Sequence, residues 1–290
     1  MISVIICSIN NDLAQQVQKN IADTIGVVWE SIIIENTLSP KSITQIYNLG
    51  ASKAQYDVLL FVHEDVLFKT QHWGKNLLDN FTNDTNLGLI GIAGSKYKSK
   101  APSGWFSGIA ALDCCKITHV DSNQQTQQIY FNPVAGTSLQ QVVVLDGVLL
   151  CCKKNVWQQV KFDEILLKGF HLYDIDFSFR VAQKFNVIVS FEIDLIHITE
   201  GGNFGDEWVN NTLLWHSKKQ SSLPFYTKDL STQKSKLESA FVRNWLIRLK
   251  QEDISFSNKI CWLYKSKTWR YITAWPFVVL FLFKRYFKTK

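Results

Sequence analysis

The strongest constraint on this chain is a rhythm in its first third, where short apolar runs alternate with helical periods. Ser3-Val-Ile-Ile-Cys-Ser-Ile9 is a β-branched run with no polar face, the pattern of a strand covered on both sides in a parallel sheet. Asn10-Asn11-Asp12 can cap a helix in which Leu13, Val17, Ile21 and Ile25 recur at helical spacing up to Gly26. A second strand is expected at Ser31–Glu35. Ser39-Pro40 is read as opening a helix that runs through Ile43, Tyr47, Gly50 and Ala54, with Pro at its first position. Val58–Val62 forms a third strand that ends at His63-Glu64-Asp65. A helix carrying Trp73, Leu77, Leu78 and Phe81 follows, then a strand at about 87–92.

Such β-α-β-α-β alternation predicts a parallel sheet with right-handed crossovers and helices on both faces. Ligands of these sheets sit beyond the carboxyl ends of the strands. The polar residues placed there are Ser8, Asn10, Glu35, Asn36, His63, Glu64 and Asp65. Between Gly94 and Gln141 the helical period disappears into short β and loop segments. Val142–Cys152 reads as one further core strand interrupted by Asp146-Gly147. A helix over about 173–185 and strands at Val187–Phe191 and Asp194–Ile198 complete the set. Beyond Gly201-Gly202 the pattern is helical to the end, with a polar linker near Ser217–Ser222, so a domain over 1–216 and an extension over 217–290 are expected.

Composition excludes several classes. With 46% hydrophobic and 19% charged residues the chain can form a sizeable core and is not disordered. The net charge of +6 is concentrated near the C-terminus, at Lys259, Lys265, Lys267, Arg270, Lys284, Arg285, Lys288 and Lys290. The rest is close to balance, so no nucleic-acid partner is expected. The six cysteines include the adjacent pairs Cys114-Cys115 and Cys151-Cys152, whose side chains point to opposite faces of a strand and make neither a metal knuckle nor an easy disulfide. Buried thiols in a reducing cytoplasm are expected, and the N-terminus has no basic lead-in of the signal-peptide kind. Ile272–Phe283 is an apolar run too short to span a bilayer, with aromatic and basic residues on both sides. It predicts an interfacial anchor, over about 262–290, on an anionic membrane surface, removable without unfolding the rest; a buried C-terminal helix is the other reading.

Three groups of residues can carry chemistry. A carboxylate directly after a buried strand, as in His63-Glu64-Asp65, is placed to hold a divalent cation against phosphate oxygens. Asp174 and Asp176 open a helix about 200° apart round its axis, so one faces the crevice and the other turns away. His197, at the end of a strand, is a hydrogen-bonded structural residue or a neutral third ligand beside a carboxylate.

Together these segments resemble the family-2-like GT-A-fold glycosyltransferases that build bacterial surface polysaccharides, over about residues 2–215. The first two strands and Ile46-Tyr-Asn48-Leu-Gly-Ala51 are similar to that family's nucleotide-binding half. Phe61–Val66 resembles the site of its metal-binding Asp-x-Asp motif, with His63 in place of the first Asp. Leu145-Asp146-Gly147-Val148 resembles a sugar-side strand, Phe162–Glu164 with Tyr173–Arg180 the stretch carrying the base, and His197 the late histidine of the metal site. The resemblance implies a Rossmann-like nucleotide-diphospho-sugar transferase fold and inverting transfer from a nucleotide-diphosphate sugar to a saccharide or lipid-linked saccharide. It implies Asp174 as base and a divalent cation (Mn2+ or Mg2+) on Asp65 and His197. Ser8, Asn10, Glu35, Asn36, Asn48, His63, Glu64, Asp65, Asp146 and Gly147 would bind the nucleotide sugar, in polysaccharide synthesis on the inner face of the cytoplasmic membrane. A GT-A-like scaffold without turnover remains the alternative, kept open by His63. A nucleotidyltransferase would need a Gly-rich, basic loop after the first strand, which Ser8-Ile9-Asn10-Asn11 is not.

Overall fold

The computed structural model describes residues 1–199, 204–230 and 234–283. Gly201-Gly202 and the basic residues Lys284, Arg285, Lys288 and Lys290 lie outside the described residues. In chain order the elements are β1 (Ile2–Ser8), α1 (Asn11–Thr24), β2 (Trp29–Glu35), α2 (Ile43–Lys53), β3 (Val58–Val62), β4 (Val66–Phe68), α3 (Trp73–Asn83) and β5 (Leu87–Gly91). Short strands follow: β6 (Ala93–Ser95), β7 (Tyr97–Lys98), β8 (Asp113–Val120), β9 (Thr126–Phe131), β10 (Leu139–Gln141), β11 (Val144–Leu145) and β12 (Leu149–Lys153). Then come α4 (Lys154–Val160), α5 (Tyr173–Ala182), β13 (Asn186–Ser190), β14 (Leu195–Ile198), α6 (Asp206–Lys219), β15 (Phe225–Tyr226), α7 (Lys234–Leu249), α8 (Phe256–Lys265) and α9 (Trp275–Phe283).

The central sheet has seven strands in the order β10-β13-β5-β12-β3-β1-β2. β1 runs parallel to both β2 and β3, as the alternation predicts, whereas β12 enters antiparallel between β3 and β5. Side-chain alternation divides the core into two layers. Ile2, Val4 and Ile6 pack with Val17, Ile21, Trp73 and Leu77 of α1 and α3. Ile5, Leu59 and Phe61 face Ile46 and Tyr47 of α2 and Phe177 of α5. The cysteine pairs obey the same geometry: Cys115 and Cys151 belong to the first layer, Cys114 and Cys152 to the second, all as free thiols. A second sheet has the order β11-β6-β8-β14-β4, with β9 on β8.

Three local expectations change. α2 begins at Ile43, because Ser42 and Gln45 form a reciprocal capping box that closes the first turn better than Ser39-Pro40 can. Val142–Cys152 is two strands, since Asp146-Gly147 turns the chain from β11 in the second sheet to β12 in the first. The polar stretch after Ser217 continues α6 to Lys219 and leads into β15, which pairs with β7.

The late helices share a third core with the sheet domain, where Trp208, Trp215, Phe241, Trp245 and Trp262 meet Tyr97, Leu112 and Phe179. Trp262 has no exposed surface and donates its indole N–H to the Pro102 carbonyl at 2.9 Å. Removing the chain from Trp262 onward would therefore open this core, contrary to the expectation of a detachable tail. The other face of α8 and α9 differs: Tyr264, Trp269, Ile272, Trp275 and Val279 are exposed. Among the described residues no helix is long and apolar enough to cross a membrane.

Candidate active site

Sheet register brings the two expected ligands together. β14 pairs antiparallel with β4, setting His197 opposite Val66, and the Ile198 N–H donates to the Asp65 carbonyl at 2.8 Å. His197 Nε2 lies 3.4 Å from Asp65 Oδ2, and His63 Nδ1 lies 3.8 Å from Asp65 Oδ1. One ligand atom from each of His63, Asp65 and His197 falls within 4.8 Å of the others. Asp65 Oδ1 is buried without a hydrogen-bond partner, a costly arrangement unless a cation completes it.

Protonation supports the same use. Burial holds His63 below the usual imidazole range, with Asp65 working against it, so the ring is neutral near pH 7. Burial works to raise Asp65, but the hydrogen bond and charge of His197 outweigh it and hold the carboxyl below its ordinary value. Two imidazole nitrogens and one carboxylate fit a divalent ion that accepts nitrogen as well as oxygen, Mn2+ more than Mg2+.

His63 is itself held from behind. Its Nε2 is 2.7 Å from the Tyr173 hydroxyl, which lies 3.2 Å from the Gly147 carbonyl. If His63 Nε2–H donates to Tyr173 and Tyr173 donates to Gly147, Nδ1 is left with a free lone pair beside the Asp65 carboxylate, the arrangement that orients a ligating histidine. Gly147 makes this possible: a Cβ there would stand 2.0 Å from the Tyr173 hydroxyl oxygen.

Tyr173 opens α5, and Asp174 follows it. Burial first and the Asp146 carboxylate second push Asp174 up to about 7, against backbone N–H groups of Ile175, Asp174 and Gly147 that favour its ionised form. Asp176, on the other side of the helix, is fully buried and accepts from Arg180 Nε at 2.6 Å and Trp215 Nε1 at 2.9 Å. It ties α5 to α6. Asp146 accepts from Val148 N–H at 2.9 Å and Trp105 Nε1 at 2.6 Å.

A cleft of about 410 Å3 opens beside this cluster at the carboxyl ends of β1 and β3. Cys7, Asn36, Lys41, Ser42, Tyr47, His63, Glu64, Asp65, Lys168 and Phe170 are among the residues on its walls. The other candidates serve as framework. The Glu64 carboxylate accepts the Ile9 and Asn10 N–H groups at 3.1 and 3.2 Å. Asn10 caps α1, and Asn36 closes the 36–41 loop on both backbone groups of Lys41. Glu35 takes a hydrogen bond from Thr37, and Ser8 is buried at the end of β1. Asn48 is turned away from the cleft, bonded to Trp157, Phe162 and Glu164.

Sequence reading missed His119 and Trp105. His119 is the partner of His197 across the β8–β14 pair, with ring centroids 5.4 Å apart. Burial lowers it too, so it adds a neutral donor at the edge of the cluster. Only strand pairing could have placed it there.

Residues 3–229 match a protein family described as glycosyltransferase like family. No curated protein matches the sequence. Among solved structures, GalNAc-T7 with UDP, GalNAc and Mn2+ superposes with a TM-score of 0.52 at 11% identity, over 83% of this chain and 54% of that one. This chain thus spans about half the length of that protein. The mannosyltransferase PcManGT from Pyrobaculum calidifontis, in complex with GDP-Man and Mn2+, also gives a TM-score of 0.52 at 11% identity, over 100% of this chain and 88% of that one. Such likeness speaks for the fold, which is the GT-A type expected. On the match across residues 3–229, the chain belongs to the glycosyltransferase-like family.

Proposed function

We propose that the chain transfers a sugar, with inversion, from a nucleotide-diphosphate donor to a saccharide or lipid-linked saccharide acceptor. The observation that carries this is the His63–Asp65–His197 cluster, two members of which, His63 and Asp65, line the nucleotide-sized cleft. Both superposed structures hold Mn2+, one with UDP and one with GDP-Man, which supports a nucleotide-sugar donor and a divalent cation here.

The nucleotide would lie in the cleft beside Asn36, between Lys41 and Lys168, whose positive charges suit an anionic ligand. A bound divalent cation would offset the charge that develops on the departing diphosphate. Asp174 takes the proton of the acceptor hydroxyl as that oxygen bonds to the anomeric carbon. The bond from the anomeric carbon to the diphosphate oxygen breaks, and the nucleoside diphosphate leaves with its electron pair. A base poised near 7 is matched to this work at neutral pH. Asp146, beside it, has acceptor capacity left for a sugar hydroxyl.

The exposed aromatic face of α8 and α9 supports docking on an anionic membrane. Residues 254–290 contain no Asp or Glu, and Lys265, Lys267 and Arg270 are exposed beside Trp269 and Tyr264. Like charges around the patch disfavour a second copy of the chain as its partner, whereas lipid headgroups complement them. Polysaccharide assembly at the cytoplasmic face, and a division into a catalytic domain over 1–216 and an extension over 217–290, belong to the same proposal.

The test is thermal stabilisation by UDP or GDP with and without Mn2+, followed by a donor screen for turnover. A nucleotide at 100 times its Kd should stabilise the protein by about 2.7 kcal/mol. Mn2+-dependent binding without turnover on any donor would leave the scaffold reading standing.

A further inference from the structure

The loop between β7 and β8 is held from two sides. From the sheet domain, the fully buried Lys98 donates to the carbonyls of Ser103 and Gly104 at 2.6 and 3.0 Å, and Asp113 accepts the N–H groups of Ser107, Gly108 and Ile109. From the late helices, Glu238 accepts Ser99 Oγ and the Lys100 N–H, both at 3.0 Å. Asn244 Nδ2 donates to the Ser107 and Gly108 carbonyls at 3.0 and 3.2 Å, and Trp245 Nε1 to the Phe106 carbonyl at 3.1 Å. Trp262 Nε1 reaches the Pro102 carbonyl. Gly108, at φ +69°, leaves space that a Cβ would deny, since it would stand 2.9 Å from Asn244 Nδ2.

One side chain leaves this clamped loop for the site. Trp105 directs its indole N–H to Asp146 Oδ2 at 2.6 Å, and the other Asp146 oxygen is fixed by its own turn. We propose that Trp105 is a positioning residue for Asp146, and that helices α7 and α8 set it by holding the 99–108 loop. The extension over 217–290 thereby contributes to the transferase centre. Peptide carbonyls at Pro102, Phe106, Ser107 and Gly108 have no regular secondary structure to satisfy them, so the helix side chains define where the loop can rest. The contacts from helix to loop and from Trp105 to Asp146 are directional hydrogen bonds, joined through the loop's own backbone. A loop free to shift by an ångström would carry the indole out of range of the carboxylate.

This inference rests on the transferase reading, and its test separates the two. In full-length protein labelled with 15N, Trp105→Phe identifies the Trp105 indole resonance by its disappearance. Asn244→Ala, at a partly exposed position on α7, should move that resonance without touching Asp146. With a competent donor, Trp105→Phe should lower kcat by about 10- to 100-fold, the scale of a small misplacement, while nucleotide-diphosphate affinity stays within about twofold. Asn244→Ala should lower kcat in the same direction, and the double variant should be no worse than Trp105→Phe alone, because both act through one bond. An unmoved indole resonance in Asn244→Ala, or kcat losses that multiply, overturns the proposal. A moved resonance in a protein that turns over no donor retains the coupling and instead overturns the transferase reading.

Discussion

Replacing Tyr173 by Phe isolates one oxygen atom. The ring remains packed against Tyr47, Phe162 and Phe170, with centroids 5.6, 6.2 and 6.0 Å away, so little apolar burial is lost. What disappears is the bridge from His63 Nε2 to the Gly147 carbonyl. Two ordinary hydrogen bonds contribute about 0.5–1.5 kcal/mol each, so unfolding stability should fall by about 1–3 kcal/mol. The larger expectation concerns the cation. Outer-shell partners of ligating histidines typically control affinity by about 10- to 100-fold, equivalent to about 1.4–2.8 kcal/mol. Calorimetric titration of Mn2+ into the wild type and Tyr173→Phe, with scanning calorimetry of both metal-free proteins, measures the two effects separately. An unchanged Mn2+ affinity beside reduced stability would make Tyr173 a core residue only, and the orienting role of its hydroxyl would be refuted.

Further expectations follow from the same geometry. Asp174→Asn should reduce kcat by about 100-fold or more with nucleotide binding nearly intact, whereas Asp176→Asn should lower the melting temperature through its ties to Arg180 and Trp215. The acid limb of kcat/KM should lie near pH 7, with activity lost as pH falls and Asp174 takes up a proton; Asp146→Asn, which removes the second cause of the shift, should move the limb to lower pH while burial keeps it above the ordinary carboxylate value. Asp65→Ala should abolish Mn2+-dependent nucleotide binding, read by thermal shift, and unchanged metal dependence would misplace the site. Trp269→Ser with Trp275→Ser should leave nucleotide binding intact but release the protein from anionic vesicles in a sedimentation assay; retention on the vesicles would remove the membrane from the proposal.

The fold was legible where local chemistry decides it. β1, β3 and β5 are covered on both faces, so their apolar runs have a single reading, and α1 follows from Asn10 and its helical period. Asp65 and Asp174 were visible because a carboxylate at the end of a buried strand or the start of a helix stands out. What escaped depends on partners distant in sequence. His63 looks like a lost carboxylate until Tyr173 is seen behind it, and His119 becomes a neighbour of His197 only through strand pairing. Asp146-Gly147 resembles a flaw in one strand, yet it passes the chain between two sheets. The tail was only partly legible for a similar reason: its aromatic residues divide between a buried set, with Trp262 and Phe281, and an exposed one, with Trp269 and Trp275. Composition alone cannot separate the two.

The seat of β14 has a consequence for the order of assembly. It lies between β8 and β4, so β4, with Asp65 just before it, joins the second sheet only when a strand made much later is inserted. During synthesis from the N-terminus, the cleft walls at the ends of β1 and β3 are made first, and Lys168, Phe170 and then His197 follow much later. A nascent chain at that stage presents Asp65 and His63 without the third ligand atom that the folded cluster offers. A divalent-cation site built on all three residues would thus be complete only once the sheet is closed.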